Sequence, residues 1–189
     1  MPKIKIAVLV GSNPRESITR KLAQAIAKLA GQQLAFHFAA LDDLPLYNQD
    51  LEGEMPKSVV QFKAEIAAAD ALLFVTLEHN RSIPALLKNA IDWGRPAVWS
   101  KLVERKPAAI TGASPGALGA AMAQTHLRQV LGILGVLVMG GEAYISFKPG
   151  LVDANGAVTD ENTRQFLQGF IEQFAALLAR LSFARAAAA

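Results

Sequence analysis

Three short polar stretches carry the residue types that do chemistry. The first, Gly11-Ser12-Asn13-Pro14-Arg15-Glu16-Ser17-Ile18-Thr19, joins an apolar run to an amphipathic one. Two serines, a threonine, one arginine and the free N–H groups of a helix start are what a phosphate monoester dianion needs. Only one glycine is present, which excludes the dinucleotide fingerprint, and the Gly-Lys-Ser/Thr ending of a P-loop is missing. Ser17 fits a plain helix cap equally well. The second stretch, Thr76-Leu77-Glu78-His79-Asn80-Arg81-Ser82-Ile83-Pro84, is a polar cluster directly after an apolar run, closed by a proline able to start a helix. Its Glu78 and Arg81 also fit an ordinary surface ion pair. The third, Gly112-Ala113-Ser114-Pro115-Gly116-Ala117-Leu118-Gly119, is small enough to let a flat ring lie against the backbone. By itself it reads as a tight turn.

Other chemistries are excluded. There are no cysteines, hence no disulfide, thiolate nucleophile or Cys-based metal centre. His37, His79 and His126 are too dispersed in local context for a metal site, and His37 and His126 read as structural. The net charge of +3 is spread without a basic stripe, which argues against nucleic acid and mildly favours small anionic ligands. No apolar run is long enough for a membrane span. The start of the chain is basic and then apolar, but it runs into a Gly-Ser turn without a cleavage site, so it reads as a first strand. A cytoplasmic protein is expected.

The elements that position these stretches alternate along the chain. Continuous apolar runs at 4–10, 34–40, 71–76, 107–113 and 136–139 predict five strands buried on both faces. Between and after them, stripes at three- and four-residue spacing predict helices. These are Ile18, Leu22, Ile26 and Leu29; Val59, Phe62 and Ile66; and Ile83, Leu86, Leu87, Ala90 and Ile91. Two more follow, Leu127, Val130, Leu131 and Leu134, then Phe166, Phe170, Phe174, Leu177, Leu178 and Leu181. Ser58 to Gln61 fits a capping box, Ser114-Pro115 puts a proline at a helix's first position, and Thr159 precedes an acidic first turn. Trp93 and Trp99 read as partly buried.

With 189 residues, 52% hydrophobic and 19% charged, one α/β domain over 1–183 is expected, with a disordered low-complexity tail at 184–189. Strand–helix alternation implies right-handed crossovers and a five-stranded parallel sheet covered on both faces. The length suits a three-layer sandwich with strand order 2-1-3-4-5, the flavodoxin-like arrangement. Its ligand crevice lies beyond the carboxyl ends of the strands, at the switch point between strands one and three. The three polar stretches fall there.

Together with Leu44-Pro45-Leu46-Tyr47-Asn48-Gln49-Asp50 and Leu87-Lys88-Asn89-Ala90-Ile91-Asp92-Trp93, these stretches make the chain resemble the NADPH-dependent FMN reductase family. That family includes flavodoxin-like quinone and chromate reductases. The resemblance implies non-covalent FMN, NADPH or NADH as co-substrate, and electrons passed to quinones, free flavin, azo compounds or metal oxyanions such as chromate. It also implies a homodimer or homotetramer. The alternative is an FMN electron carrier without NAD(P)H turnover. Carried across by position, Ser12, Arg15, Ser17 and Thr19 match the phosphate stretch. Leu77, Glu78, His79 and Asn80 match the edge of the isoalloxazine ring, and Ser114 and Gly116 its other side. Arg81 matches a subunit-interface position. No side chain is implied as the catalyst, although a charged His79 is expected to favour the reduced ring. The family's Gly-Ser-Leu-Arg becomes Gly11-Ser12-Asn13-Pro14-Arg15 here, its following asparagine becomes Thr19, and its Pro-Glu-Tyr-Asn becomes Leu77-Glu78-His79-Asn80. The 95–105 stretch is less like the family.

Overall fold

Among the described residues six strands are formed: Ile4–Val10 (β1), Leu34–Phe38 (β2), Ala71–Thr76 (β3), Pro107–Ser114 (β4), Leu137–Val138 (β5) and Tyr144–Ser146 (β6). Five α-helices among the same residues alternate with or follow them: Ile18–Leu29 (α1), Lys57–Ala68 (α2), Ala85–Trp93 (α3), Ala121–Ile133 (α4) and Glu161–Ala187 (α5). The structure is a computed structural model and describes residues 3–94 and 106–187, with side chains as far as Leu181. Trp99 and the 95–105 stretch lie outside the described residues.

All strand pairs are parallel, in the expected order β2-β1-β3-β4-β5. The fifth position is split, which the sequence reading missed. β5 pairs with Pro107 and Ala108 of β4, and β6 with Gly112, Ala113 and Ser114 further along the same strand. Gly140 and Gly141 separate the two pieces, and three residues are too few to show a period.

Alternation along the central strands builds two cores. Ile6, Val8, Val10, Leu73 and Val75 face α1 and α5. Ala7, Leu9, Leu72 and Phe74 face α2, α3 and α4. The result is a flavodoxin-like three-layer sandwich. On α5 the buried stripe is Leu167, Phe170, Ile171, Phe174 and Leu178, whereas Phe166 is 48% exposed. One residue is 100° of helix, so Phe166 lies off the face that Leu167 and Ile171 fill. The backbone of α5 continues to Ala187, taking in part of the segment expected to fray.

Helix starts also differ from the local patterns. α2 begins at Lys57 behind Pro56, without a side-chain cap, so Ser58 sits inside its first turn. Proline fixes a helix-compatible φ and needs no hydroxyl there. Pro115 lies in a turn, and α4 starts only after Ala120. Asp160 caps α5, its Oδ1 accepting from the Thr163 N–H at 2.8 Å, while the Thr159 hydroxyl donates to the Gly150 carbonyl at 2.7 Å. Ile83 is buried just ahead of α3 rather than within it.

The 44–51 segment has no sheet partner and is held by side chains of α3. Asn89 Oδ1 accepts from the Tyr47 N–H at 2.8 Å, and its Nδ2 donates to the Pro45 carbonyl at 2.9 Å. The Trp93 indole N–H donates to the same carbonyl at 2.6 Å. Tyr47 meets Trp93 edge to face at 5.2 Å. Trp93 is therefore core, 1% exposed, rather than partly buried. Removing the Asn89 amide leaves a backbone donor without its acceptor, a loss of about 2 kcal/mol. Asn89→Ala is expected to lower the urea midpoint with an unchanged slope; a midpoint equal to the parent's would show that the clamp contributes nothing.

Candidate functional site

The first, second and third polar stretches leave the carboxyl ends of β1, β3 and β4 respectively. β1 and β3 are neighbours, and the Gly11 N–H donates to the Val75 carbonyl at 3.0 Å, extending the ladder one residue into the first loop. A Cβ on Gly11 would meet Pro84 Cγ at 2.8 Å and Leu87 Cβ at 3.2 Å. The first two stretches are therefore packed against one another.

In the first stretch Ser17 caps α1, its Oγ accepting from the Arg20 N–H at 3.1 Å. Its hydroxyl and that of Ser12 are 2.7 Å apart, and both residues are buried. If Ser17 donates in that contact, the Ser12 proton is free for a further acceptor. Thr19 is fully buried and its Oγ1 has no protein partner. The first-turn N–H groups have no carbonyl within the helix, and no acid stands in that turn. Buried hydroxyls, one of them orphaned, at a helix start without acid are donors of the kind an anion needs. Arg15 is exposed, and the neighbouring Glu16 pairs with Lys21 at 2.5 Å.

The second stretch folds into a two-residue turn. The His79 and Ser82 backbones exchange hydrogen bonds of 3.0 and 2.9 Å, and Asn80 and Arg81 both have positive φ, 50° and 64°. Among the described residues the other non-glycine with positive φ is Ala120, at 65°, after β4. All three lie at one edge of the sheet, and strain of this kind collects at functional sites. The turn is tied to α4 twice. Ser82 Oγ lies 2.8 Å from His126 Nδ1, and Glu78 Oε2 accepts from the Met122 N–H at 3.0 Å and the Ala123 N–H at 3.3 Å. Glu78 also pairs with Arg81 at 3.3 Å, so the plain ion-pair reading is half of its role. The imidazole of His79 is exposed and Leu77 is half-buried.

The third stretch turns on Gly119, whose φ is +53° and whose Cβ would lie 2.6 Å from the Tyr144 and Ile145 backbone. The Ser114 hydroxyl donates to the Gly116 carbonyl at 3.3 Å. Gly116 is exposed, and a Cβ on it would meet the Ser114 Oγ at 3.8 Å. The sheet topology thus brings all the expected site residues to one edge. Ser82 and His126 were not singled out as a pair, because their link spans two loops and leaves no mark in local sequence. His37 lies elsewhere, 3.2 Å from Glu65. That pair borders a cavity of about 290 Å³ between β1, β2 and α2, away from the strands' carboxyl ends.

A parallel doubly wound sheet with buried hydroxyls after β1 and a strained polar turn after β3 defines a flavodoxin-like protein. Residues 4–150 match the NADPH-dependent FMN reductase family, and the chain belongs to it. It is 46% identical over 178 residues to a 2-hydroxy-1,4-benzoquinone reductase of Burkholderia sp, covering 92% of this chain and 95% of that one. It is 45% identical over 172 residues to a quinone reductase of Pseudomonas putida, with 90% and 92% covered. The flavoenzyme NAD(P)H:(acceptor) oxidoreductase FerB from Paracoccus denitrificans superposes with a TM-score of 0.89 at 43% identity, covering 94% of this chain and 98% of that one. The protein is thus an oxidoreductase of the FMN reductase class.

Packing of Gly11 on Pro84 yields a direct test. Gly11→Ala forces the first two stretches apart, a loss of about 1–3 kcal/mol by overpacking. Chemical denaturation is expected to show it as an earlier midpoint, and a parent-like midpoint would mean that the loops are not interlocked.

Proposed function

We propose that this protein is an FMN-dependent NAD(P)H:quinone oxidoreductase. The carrying observation is the set of buried hydroxyls at the start of α1, beside the switch point of the sheet: those of Ser12 and Ser17 are in contact, and that of Thr19 has no protein partner. FMN held there would supply the redox chemistry, the relay of electrons from a nicotinamide to the acceptor.

The chain's own residues bind and orient. Ser12, Ser17 and Thr19, with Arg15 outside them, hold the phosphate. Leu77, Glu78, His79 and Asn80 border one edge of the ring, with Asn80 locked in its turn; Ser114 and Gly116 border the other. A charge on His79 lowers the cost of adding electrons beside it. A quinone is the acceptor that the names of the relatives favour; free flavin, azo compounds and chromate are further candidates. The reading includes a homo-oligomer, dimer or tetramer, with Arg81 at its interface. Arg81 is exposed, and Leu118 and Met122, close to its partner Glu78 at the start of α4, are exposed apolar side chains. The nicotinamide is drawn from the cytoplasmic pool.

The deciding experiment is an anaerobic visible spectrum of FMN-loaded protein before and after NADPH, followed by a quinone. Rapid bleaching, then recovery of colour on adding quinone, is the expected outcome. Colour that persists with both NADPH and NADH would leave an electron carrier, and failure to retain FMN would remove the assignment. Ser12→Ala and Thr19→Val are each expected to weaken FMN about tenfold, as losing one hydrogen bond to a charged group does. Riboflavin, which lacks the phosphate, should bind both variants as it binds the parent; equal losses for both flavins would place the phosphate elsewhere. For His79, the flavin midpoint potential is expected to vary with pH differently in His79→Phe than in the parent. Identical profiles would end that role.

A further inference from the structure

Among the helices that begin at the carboxyl edge of the sheet, three follow the polar stretches after β1, β3 and β4, and their starts meet different fates. α3 opens behind Pro84, which with Leu87 packs onto Gly11. α1 opens on buried hydroxyls, one of them orphaned, with no acid in its first turn. α4 opens behind Ala120 with no side-chain cap of its own. Its first turn is nevertheless filled, because the Glu78 carboxylate, 44 residues earlier, accepts from the Met122 and Ala123 N–H groups at 3.0 and 3.3 Å. The Glu78 side chain is only 12% exposed there.

An uncapped helix start presents free N–H groups and the positive end of the helix dipole, which draw anions. At α1 the Ser17 hydroxyl takes one N–H, that of Arg20, and leaves the earlier ones for an anion; without Glu78, the start of α4 would be open to a phosphate as well. We propose that Glu78 is a specificity-determining residue: an internal anion that closes the start of α4 and leaves the start of α1 as the phosphate seat, fixing which end of the crevice takes phosphate and which takes the ring. This rests on the phosphate reading of Ser12, Ser17 and Thr19. It also gives Glu78 a role other than touching the ring with its carboxylate. Arg81, paired with the other carboxylate oxygen at 3.3 Å, helps to keep the charge in place.

The test uses FMN-loaded protein, in which the α1 seat is taken, and inorganic phosphate as the probe. Glu78→Ala is expected to melt about 4 °C lower in phosphate-free buffer, as a protein of this size does when it loses a helix cap. About 100 mM phosphate should restore at least half of that loss by occupying the vacated N–H groups, while leaving the parent unmoved. Sodium chloride at equal ionic strength should restore none of it. Glu78→Gln keeps an acceptor without the charge and is expected to melt lower than the parent with little recovery in phosphate. Equal phosphate effects on the parent and Glu78→Ala would overturn the proposal, as would a Glu78→Gln melt identical to the parent's. Should Glu78→Ala fail to fold, the Glu78→Gln melt decides alone. A parent that does not retain FMN retires the flavin reading instead, so the two failures are distinguishable.

Discussion

The pairing of β1 with β3 is the constraint on which the site depends. Both strands are buried on both faces, and Ile6 to Val10 run in register with Ala71 to Val75. A slip of one residue would exchange every side chain between the two cores, so the register is fixed by burial rather than by the ladder bonds alone. The bond from Gly11 to the Val75 carbonyl carries that register one step beyond the strand. Two polar loops far apart in sequence are thereby made to leave the sheet side by side. What each loop then does follows from this forced adjacency.

Beyond the last rung the character of the backbone changes. The sheet below is regular, whereas its carboxyl edge holds Asn80, Arg81 and Ala120 in left-handed conformations that cost of order 1 kcal/mol or more each. Hydrogen bonds across elements maintain them: His79 with Ser82, Ser82 with His126, and Glu78 with the first turn of α4. A rigid scaffold supports a small strained rim, and the rim carries the polar groups. The 44–51 segment is the counterpart on the α3 side, held by Asn89 and Trp93 rather than by a sheet partner.

Much of this was legible in the sequence, for a physical reason. From Ile6 to Val10 and from Ala71 to Val75, β1 and β3 are unbroken apolar runs because both of their faces are buried there, and burial on two faces writes itself into composition. The stripes of α1 and α2 were equally plain, and the Ser12 to Thr19 stretch announced its hydroxyls. The misreadings were of local punctuation. Ser58 and Pro115 matched capping patterns that the tertiary structure did not use, and Phe166 was placed one residue from the true apolar face of α5. The function of Asn89, Trp93 and the Glu78 carboxylate was hidden for another reason. Each acts on backbone groups more than forty residues away, and no window of sequence contains both partners.

The split at the fifth strand position has a bearing on how molecules of this protein meet one another. An edge strand normally offers an unbroken row of N–H and C=O groups, a template on which another chain can extend the sheet. Here that edge consists of two and three residues, β5 and β6, interrupted at Gly140 and Gly141, the latter with φ +86°. Among the described residues no run long enough to nucleate intermolecular pairing is presented on this side. At a flank of the sheet where polymerisation could begin, the glycine break acts as a guard against it.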